Sequence, residues 1–397
     1  MMLCIIQANA QMSWGSAVTI STSPLNDSSN PQVVVDQYGN STAAWVENGF
    51  IYSSFQPVNG SWGMPVAISA TGASSPQLGI DSTGKVTAIW LSSNNTVQMV
   101  TLPLNGIWSA VSSISSSGAT NPSLAVNGSG TVAAVWQRNN YIESITKIGG
   151  ILSLVSIISP VTSSNPHVAI GANGTVVAVW QTILGTGAAT VESARQTNGV
   201  WGSAVNILPA PSALSHNYPK VSVDANGNAD VIWYRYLVSG KGYSNVFVYA
   251  SSLPANSSSW SFPLQISDTG LGNPAQLFIN IACDSSGNKI ATWTIAYDGQ
   301  SYNIESSTQS PSGTWLPFST LGNTNDIFAL SGSIATDPVG NVTAANMSFD
   351  GSSVNIQTAQ TNASSLAGSV FWEAFATVSS GMNNGFPIIA AYNGPKN

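Results

Sequence analysis

The sequence predicts an all-β protein, a β-propeller of four-stranded blades, on three observations. One block recurs in seven copies along 397 residues, Asn-Gly turns and β-branched runs follow each other at strand length, and Gly (36) and Trp (13) are abundant while charge is scarce. Only 6% of residues are charged, against roughly a quarter in ordinary soluble domains, and 43% are hydrophobic. That balance excludes intrinsic disorder, which pairs high charge with low hydrophobicity. With 9 Lys and Arg against 16 Asp and Glu, a formal charge of −7 and a pI near 4.5, the chain cannot assemble the basic patch that nucleic acid or an anionic lipid surface requires. No apolar run approaches the roughly 18 residues of a spanning helix, so membrane insertion is not expected.

The elements follow from the repeat. The first copy reads Pro31-Gln-Val-Val-Val-Asp36-Gln-Tyr-Gly39-Asn40-Ser-Thr-Ala-Ala-Trp45. Its turn residue and tryptophan return as Asp81/Trp90, Asn127/Trp136, Gly171/Trp180, Asp224/Trp233 and Asp284/Trp293, with Asp337/Asn346 as a decayed seventh copy. Successive copies lie 45, 46, 44, 53, 60 and 53 residues apart, the length of a propeller blade. An inner strand precedes each turn, with aliphatic residues in alternation (Val33 and Val35, Leu78 and Ile80) around a small one (Gly79, Ala125, Ala169), where a neighbour comes close. Asp-x-x-Gly-Asn is a tight turn in which Asp accepts backbone N–H groups. A calcium site needs six to eight oxygens, and each turn offers a single carboxylate. The second strand ends at the Trp. The third starts with an aliphatic residue and a long polar one, as in Val97-Gln98, Ile142-Glu143 and Ile304-Glu305. Asn-Gly hairpins before Trp62, Trp108 and Trp201 lead to an outer strand. All 13 Trp fall at these two blade positions, where packing between blades is their expected role. Seven blades are expected, with eight as the alternative, because the pattern adds an outer strand at Trp14–Ile20 and an inner one at Phe386–Gly394.

At the N-terminus, Ala8-Asn9-Ala10 follows a short apolar stretch as a secretory cleavage site does. Residues 1–10 are therefore expected to be a truncated signal remnant, and 11–397 a single propeller domain that is secreted, periplasmic or on the cell surface. Cys283 is expected to be a small buried hydrophobe. With His167 and His216 the only histidines, neither metal nor cofactor is expected.

The motif Pro-x-φ-x-φ-Asp-x-x-Gly-Asn-x-x-Ala-x-Trp, where φ is an aliphatic residue, followed by Asn-Gly-x-Trp, resembles bacterial secreted propeller repeats of the sialidase-like (BNR-type) superfamily, over residues 14–394. The resemblance implies the propeller. It does not extend to true Asp boxes, which read Ser-x-Asp-x-Gly-x-x-Trp between the third and fourth strands. Sialidases clamp a substrate carboxylate with three arginines, and this chain has three in all, Arg138, Arg195 and Arg235. Arg138 and Arg235 occupy equivalent positions, two past a blade Trp. Glu143, Glu192 and Glu305 repeat one slot in different blades, which does not make the close carboxylate pair of a glycosidase.

The site expectation rests on irregularity in the repeat. Two lengthened connections meet at blade five. The segment from Leu208 carries His216 and Tyr218; the segment from Tyr234 carries Arg235, Tyr236, Lys241 and Tyr243. Blade six adds Tyr297, Asp298 and Tyr302. With Lys220, a third of the basic residues fall in 22 positions. Aromatic faces beside cations suit sugar or peptide recognition. The expectation is a monomeric, non-enzymatic module that binds an extracellular glycan or protein on this face, with Arg138 a further candidate. The alternatives are a degenerate sialidase-like hydrolase and a structural cell-surface protein.

Overall fold

The computed structural model describes residues 20–21 and 28–381, except 160–161, 186, 209–213, 240–241, 269, 272–277, 285, 297–301, 312, 322–327, 337–340, 350–353 and 363–375. The two surplus strands expected at the ends, and the signal remnant, lie outside these residues.

Seven antiparallel blades follow one another in chain order, each with its strands in sequence order. Blade one consists of Ser28–Val35, Ser41–Glu47, Phe50–Gln56 and Val66–Ala67. The inner strands of the later blades are Ser74–Ile80, Ala119–Val126, Ser163–Ile170, Leu214–Val223, Ile279–Cys283 and Phe328–Thr336. The turns between first and second strands are built as the sequence implies. Asp36 Oδ1 accepts the N–H groups of Tyr38 and Asn40, and its Oδ2 accepts the Asn40 side-chain amide; Asp224 and Asp284 repeat the arrangement. Two residues past each of four outer strands lies a serine whose hydroxyl accepts a third-strand N–H: Ser69 from Ile51, Ser115 from Val97, Ser159 from Ile142 and Ser267 from Val248. Neutral side chains thus satisfy backbone groups at the blade edges, which is how the chain manages with so little charge.

The apolar core is divided among the blade interfaces. Ala44 and Ile51 of blade one pack with Trp90 of blade two, and the same arrangement seats Trp136, Trp180, Trp233 and Trp293 against their preceding blades. Trp108, Trp201, Trp260 and Trp315 of the outer hairpins join the same four interfaces as their blade's inner tryptophan. Both tryptophans of a blade therefore face backward along the chain, each ring burying about 150–250 Å². Gly79 shows how close the inner strands come: a Cβ there would lie 2.4 Å from Val126 Cγ2 of the next blade.

Each second-strand indole N–H described is satisfied inside its own blade, and the acceptor depends on the residue paired with that Trp on the third strand. Where that residue is polar and long it accepts directly: Gln98 from Trp90, Glu143 from Trp136, Glu192 from Trp180 and Glu305 from Trp293, at 2.7–3.1 Å. In blades one and five a tyrosine fills the slot and stacks on the indole (Trp45–Tyr52, Trp233–Tyr249). The acceptors there come from elsewhere, Glu47 for Trp45 and His216 Nδ1 for Trp233. Cys283 is half-buried; its thiol donates to the Val223 carbonyl, and burial first, then nearby carboxylates, pushes it up to about 12.

Candidate functional site

The blade-five residues singled out in the sequence are mostly strand, not loop. The inner strand begins at Leu214 and takes in His216 and Tyr218, while the second and third strands lengthen to Ala229–Ser239 and Gly242–Leu253. Inserted residues extend a hairpin here, and alternation then decides which side chains are buried. Tyr234 and Tyr236 point into the interface with blade six, and the Tyr234 hydroxyl donates to the carbonyls of Phe278 and Thr294. His216 is 1% exposed and accepts the Trp233 indole N–H at 2.8 Å. These three side chains build the fold and present nothing to a ligand. Arg235, on the sheet face opposite Tyr234 and Tyr236, lies over the Tyr249 ring and donates to its hydroxyl. Tyr243 and Tyr302 are placed as strand residues only, and Lys241, Tyr297 and Asp298 lie outside the described residues.

The three arginines do not converge. Arg138 makes a two-pronged contact with Glu143, the acceptor of Trp136. Arg195 reaches from blade four to the carbonyls of Leu253, Pro254, Ala255 and Ser257, clamping a turn of blade five. None of the three lines the central cavity, so no carboxylate clamp of the sialidase kind is assembled.

That cavity, of about 800 Å³, is bordered by an equivalent step of five consecutive inner strands. The steps read Asn30-Pro31-Gln32, Ser75-Pro76-Gln77, Asn121-Pro122-Ser123, Asn165-Pro166-His167 and Tyr218-Pro219-Lys220. In each, the residue before proline is in the left-handed region, with φ between 50° and 56°. The strand pairing slips at the same place, as between Ser29 and Gln32 or Asn217 and Lys220. Proline removes a ladder donor and a bulge takes up the extra residue, and the residues on both sides of the proline line the cavity. Because the start of an inner strand pairs with the end of the second (Ser28 with Glu47), these steps lie toward the face that carries the second-to-third strand loops. The left-handed conformation is tolerable for Asn but costs about 1–3 kcal/mol at a residue such as Tyr218.

Blade five breaks the polar uniformity of the ring. Tyr218 is 48% exposed, an aromatic face at the cavity wall. Lys220 beside it is half-buried, and burial pushes its ammonium below the usual value. Across the blade interface His167 accepts the Val221 N–H on Nδ1; burial first, and then the charge of Lys220, hold it well below the usual imidazole value. Among the described lining residues Lys220 is the only charged side chain. No three His, Cys, Asp or Glu among the described residues gather to hold a metal ion.

No protein-family model matches the sequence, and no curated protein does. Solved structures do match. The BP39L lectin from Burkholderia pseudomallei superposes with a TM-score of 0.58 at 13% identity, covering 88% of this chain and 98% of that one. A PL25 ulvan lyase, a polysaccharide lyase, gives 0.52 at 11%, covering 77% and 83%. The shared property is the fold. At these identities neither neighbour assigns an activity or a site, and the functional reading has to come from the cavity itself.

Tyr218 lies in a strand where the sequence suggested a connection, and the cavity-lining Asn30, Asn121, Asn165 and His167 are not among the site residues it pointed to. The signal that would have found them is a proline five residues before the turn residue in five copies, preceded by Asn in three of them.

Proposed function

We propose that this protein is a carbohydrate-binding propeller that seats a glycan in the central cavity, against blade five. The observation that carries the reading is the ring of left-handed X-Pro steps. It presents amide and hydroxyl groups around a concave space the size of a few sugar rings, with one exposed tyrosine on its wall. Amides and hydroxyls match the hydroxyl pattern of a sugar, and an aromatic face takes its apolar C–H side. The dispersed arginines and the use of Glu143, Glu192 and Glu305 as indole acceptors favour binding without catalysis. The wider reading is of a monomer acting outside the cytoplasm, in keeping with the surface of neutral Ser, Thr and Asn and the cleavage-like N-terminus. It contacts neither nucleic acid nor membrane in this reading, given 9 Lys and Arg in 397 residues.

The test is a glycan array followed by calorimetry on the best ligand. Tyr218→Asn restores the residue of blades one, three and four; it is expected to weaken binding at least tenfold while the protein stays folded. Arg235→Ala, outside the cavity, is expected to leave affinity within twofold. Unchanged affinity in Tyr218→Asn, or loss in Arg235→Ala alone, would move the site away from the centre. Turnover of a glycoside by the wild type would replace the binding reading with a hydrolytic one.

A further inference from the structure

Lys220 has no anion beside it among the described residues. Among the described residues it makes neither hydrogen bond nor ion pair, and no carboxylate lines the cavity beside it. The contrast with Lys289 is instructive: that ammonium, more deeply buried than Lys220, sits 3.1 Å from Asp230. An ammonium taken out of bulk water without a counter-charge is costly, and such groups are normally paired. In a protein of net charge −7, the one charged side chain of the described cavity wall is nonetheless positive.

His167 completes the arrangement from the neighbouring blade. Its Nδ1 accepts the Val221 N–H at 3.3 Å, and burial keeps the ring neutral, so the remaining proton sits on Nε2. The ring is only half-buried and lines the same cavity, leaving Nε2–H as a donor to whatever occupies it. The amides next to it are engaged with each other: Asn165 donates to Gln181, and Asn121 donates to Asn165. A charged donor and a neutral donor, from adjacent blades, therefore face one space beside an exposed aromatic ring.

We propose that the cavity selects an anionic sugar, its carboxylate or sulfate ester held by the Lys220 ammonium and the His167 Nε2–H while Tyr218 takes the ring. The proposal rests on the glycan reading above and names its ligand class. Charge-assisted donors prefer an oxyanion to a hydroxyl, and the half-buried Lys220 ammonium is screened less than one in bulk water.

The experiment starts with an array of uronate-bearing, sialylated, sulfated and neutral glycans. Calorimetry then compares the best acidic ligand with its carboxyl-reduced or desulfated form. Wild-type protein is expected to prefer the acidic form at least tenfold. Lys220→Met is expected to bring the acidic ligand down to the affinity of the neutral one, which itself stays within threefold; Lys220→Arg keeps the preference. A second measurement needs no variant: raising salt from 50 to 500 mM weakens the acidic ligand and leaves the neutral one unmoved. Which acidic glycans bind tells carboxylate from sulfate ester. Equal affinity for charged and neutral forms, or a preference that survives Lys220→Met, overturns the anion proposal and leaves the glycan reading standing. Displacement of the acidic sugar by inorganic sulfate at equal concentration overturns it as well, since the bare ion is then the ligand. Binding of none of the glycans takes down both readings.

Discussion

His216 shows how a residue with a catalytic reputation is used for construction. Tyr249 occupies the slot where other blades carry an acceptor for the indole, and His216 Nδ1 supplies the missing lone pair to Trp233. The ring can do this only when neutral, and burial, helped by the charge of Arg235, lowers its pKa from 6.5 to about 4. The folded value lies below the unfolded one, so the unfolded chain takes up the proton first as pH falls. Stability from this residue is complete above about pH 6.5 and is lost as the pH drops toward 4, by about 3 kcal/mol. Urea unfolding at intervals between pH 7 and 4 measures it. His216→Gln keeps an acceptor without a titrating group, so its stability is expected to fall less steeply over that window, the remainder coming from His167. Parallel slopes for variant and wild type would mean that His216 does not carry the linkage. The sequence showed that His216 was one of two histidines and stood near aromatic residues. It could not show which way the ring faced, because the deciding fact is the tyrosine 33 positions later, brought opposite Trp233 by strand pairing.

At the level of strands and turns, the pattern was legible wherever a rule acts locally. The Asp turns, the period-two inner strands and the hairpins that precede the outer tryptophans depend on neighbours in sequence, and they form where expected. Two features were not legible. Lengthened segments in blade five read as loops because they carry Gly, Ser and charge, yet they extend a hairpin whose apolar side rests on blade six. The X-Pro bulges were visible as residues but not as geometry, since proline marks a strand edge, a bulge or a loop equally well. Between neighbouring blades the small position of the inner strand does carry a sharp expectation. Gly79→Ala would place a methyl 2.4 Å from the stiff Val126 side chain and is expected to cost about 1–3 kcal/mol. Gly185→Ala, with open space around it, serves as the control and is expected to be near neutral. Equal effects in chemical denaturation would show that the blades separate easily at that point.

Over the whole molecule, the described apolar clusters each bridge two successive blades, so a blade on its own has half a core. Unfolding is therefore expected as a single transition in which tryptophan fluorescence and far-ultraviolet dichroism change together. Separate midpoints would reveal a group of blades that stands alone. The scarcity of charge follows from the same plan: backbone groups at the blade edges are met by serine hydroxyls, and the few cations are left for special tasks such as the Arg195 clamp. The ring of X-Pro steps has a further consequence. A rotationally repetitive opening offers a guest several equivalent settings, and an occupant of such an opening is held without being oriented. Replacing the Asn or Ser of one step by Tyr218, and its Gln, Ser or His by Lys220, works as a keyway cut into a round hole. It leaves one setting in which the guest fits, and it does so by altering two positions in a single repeat while the other repeats continue to hold the ring in shape.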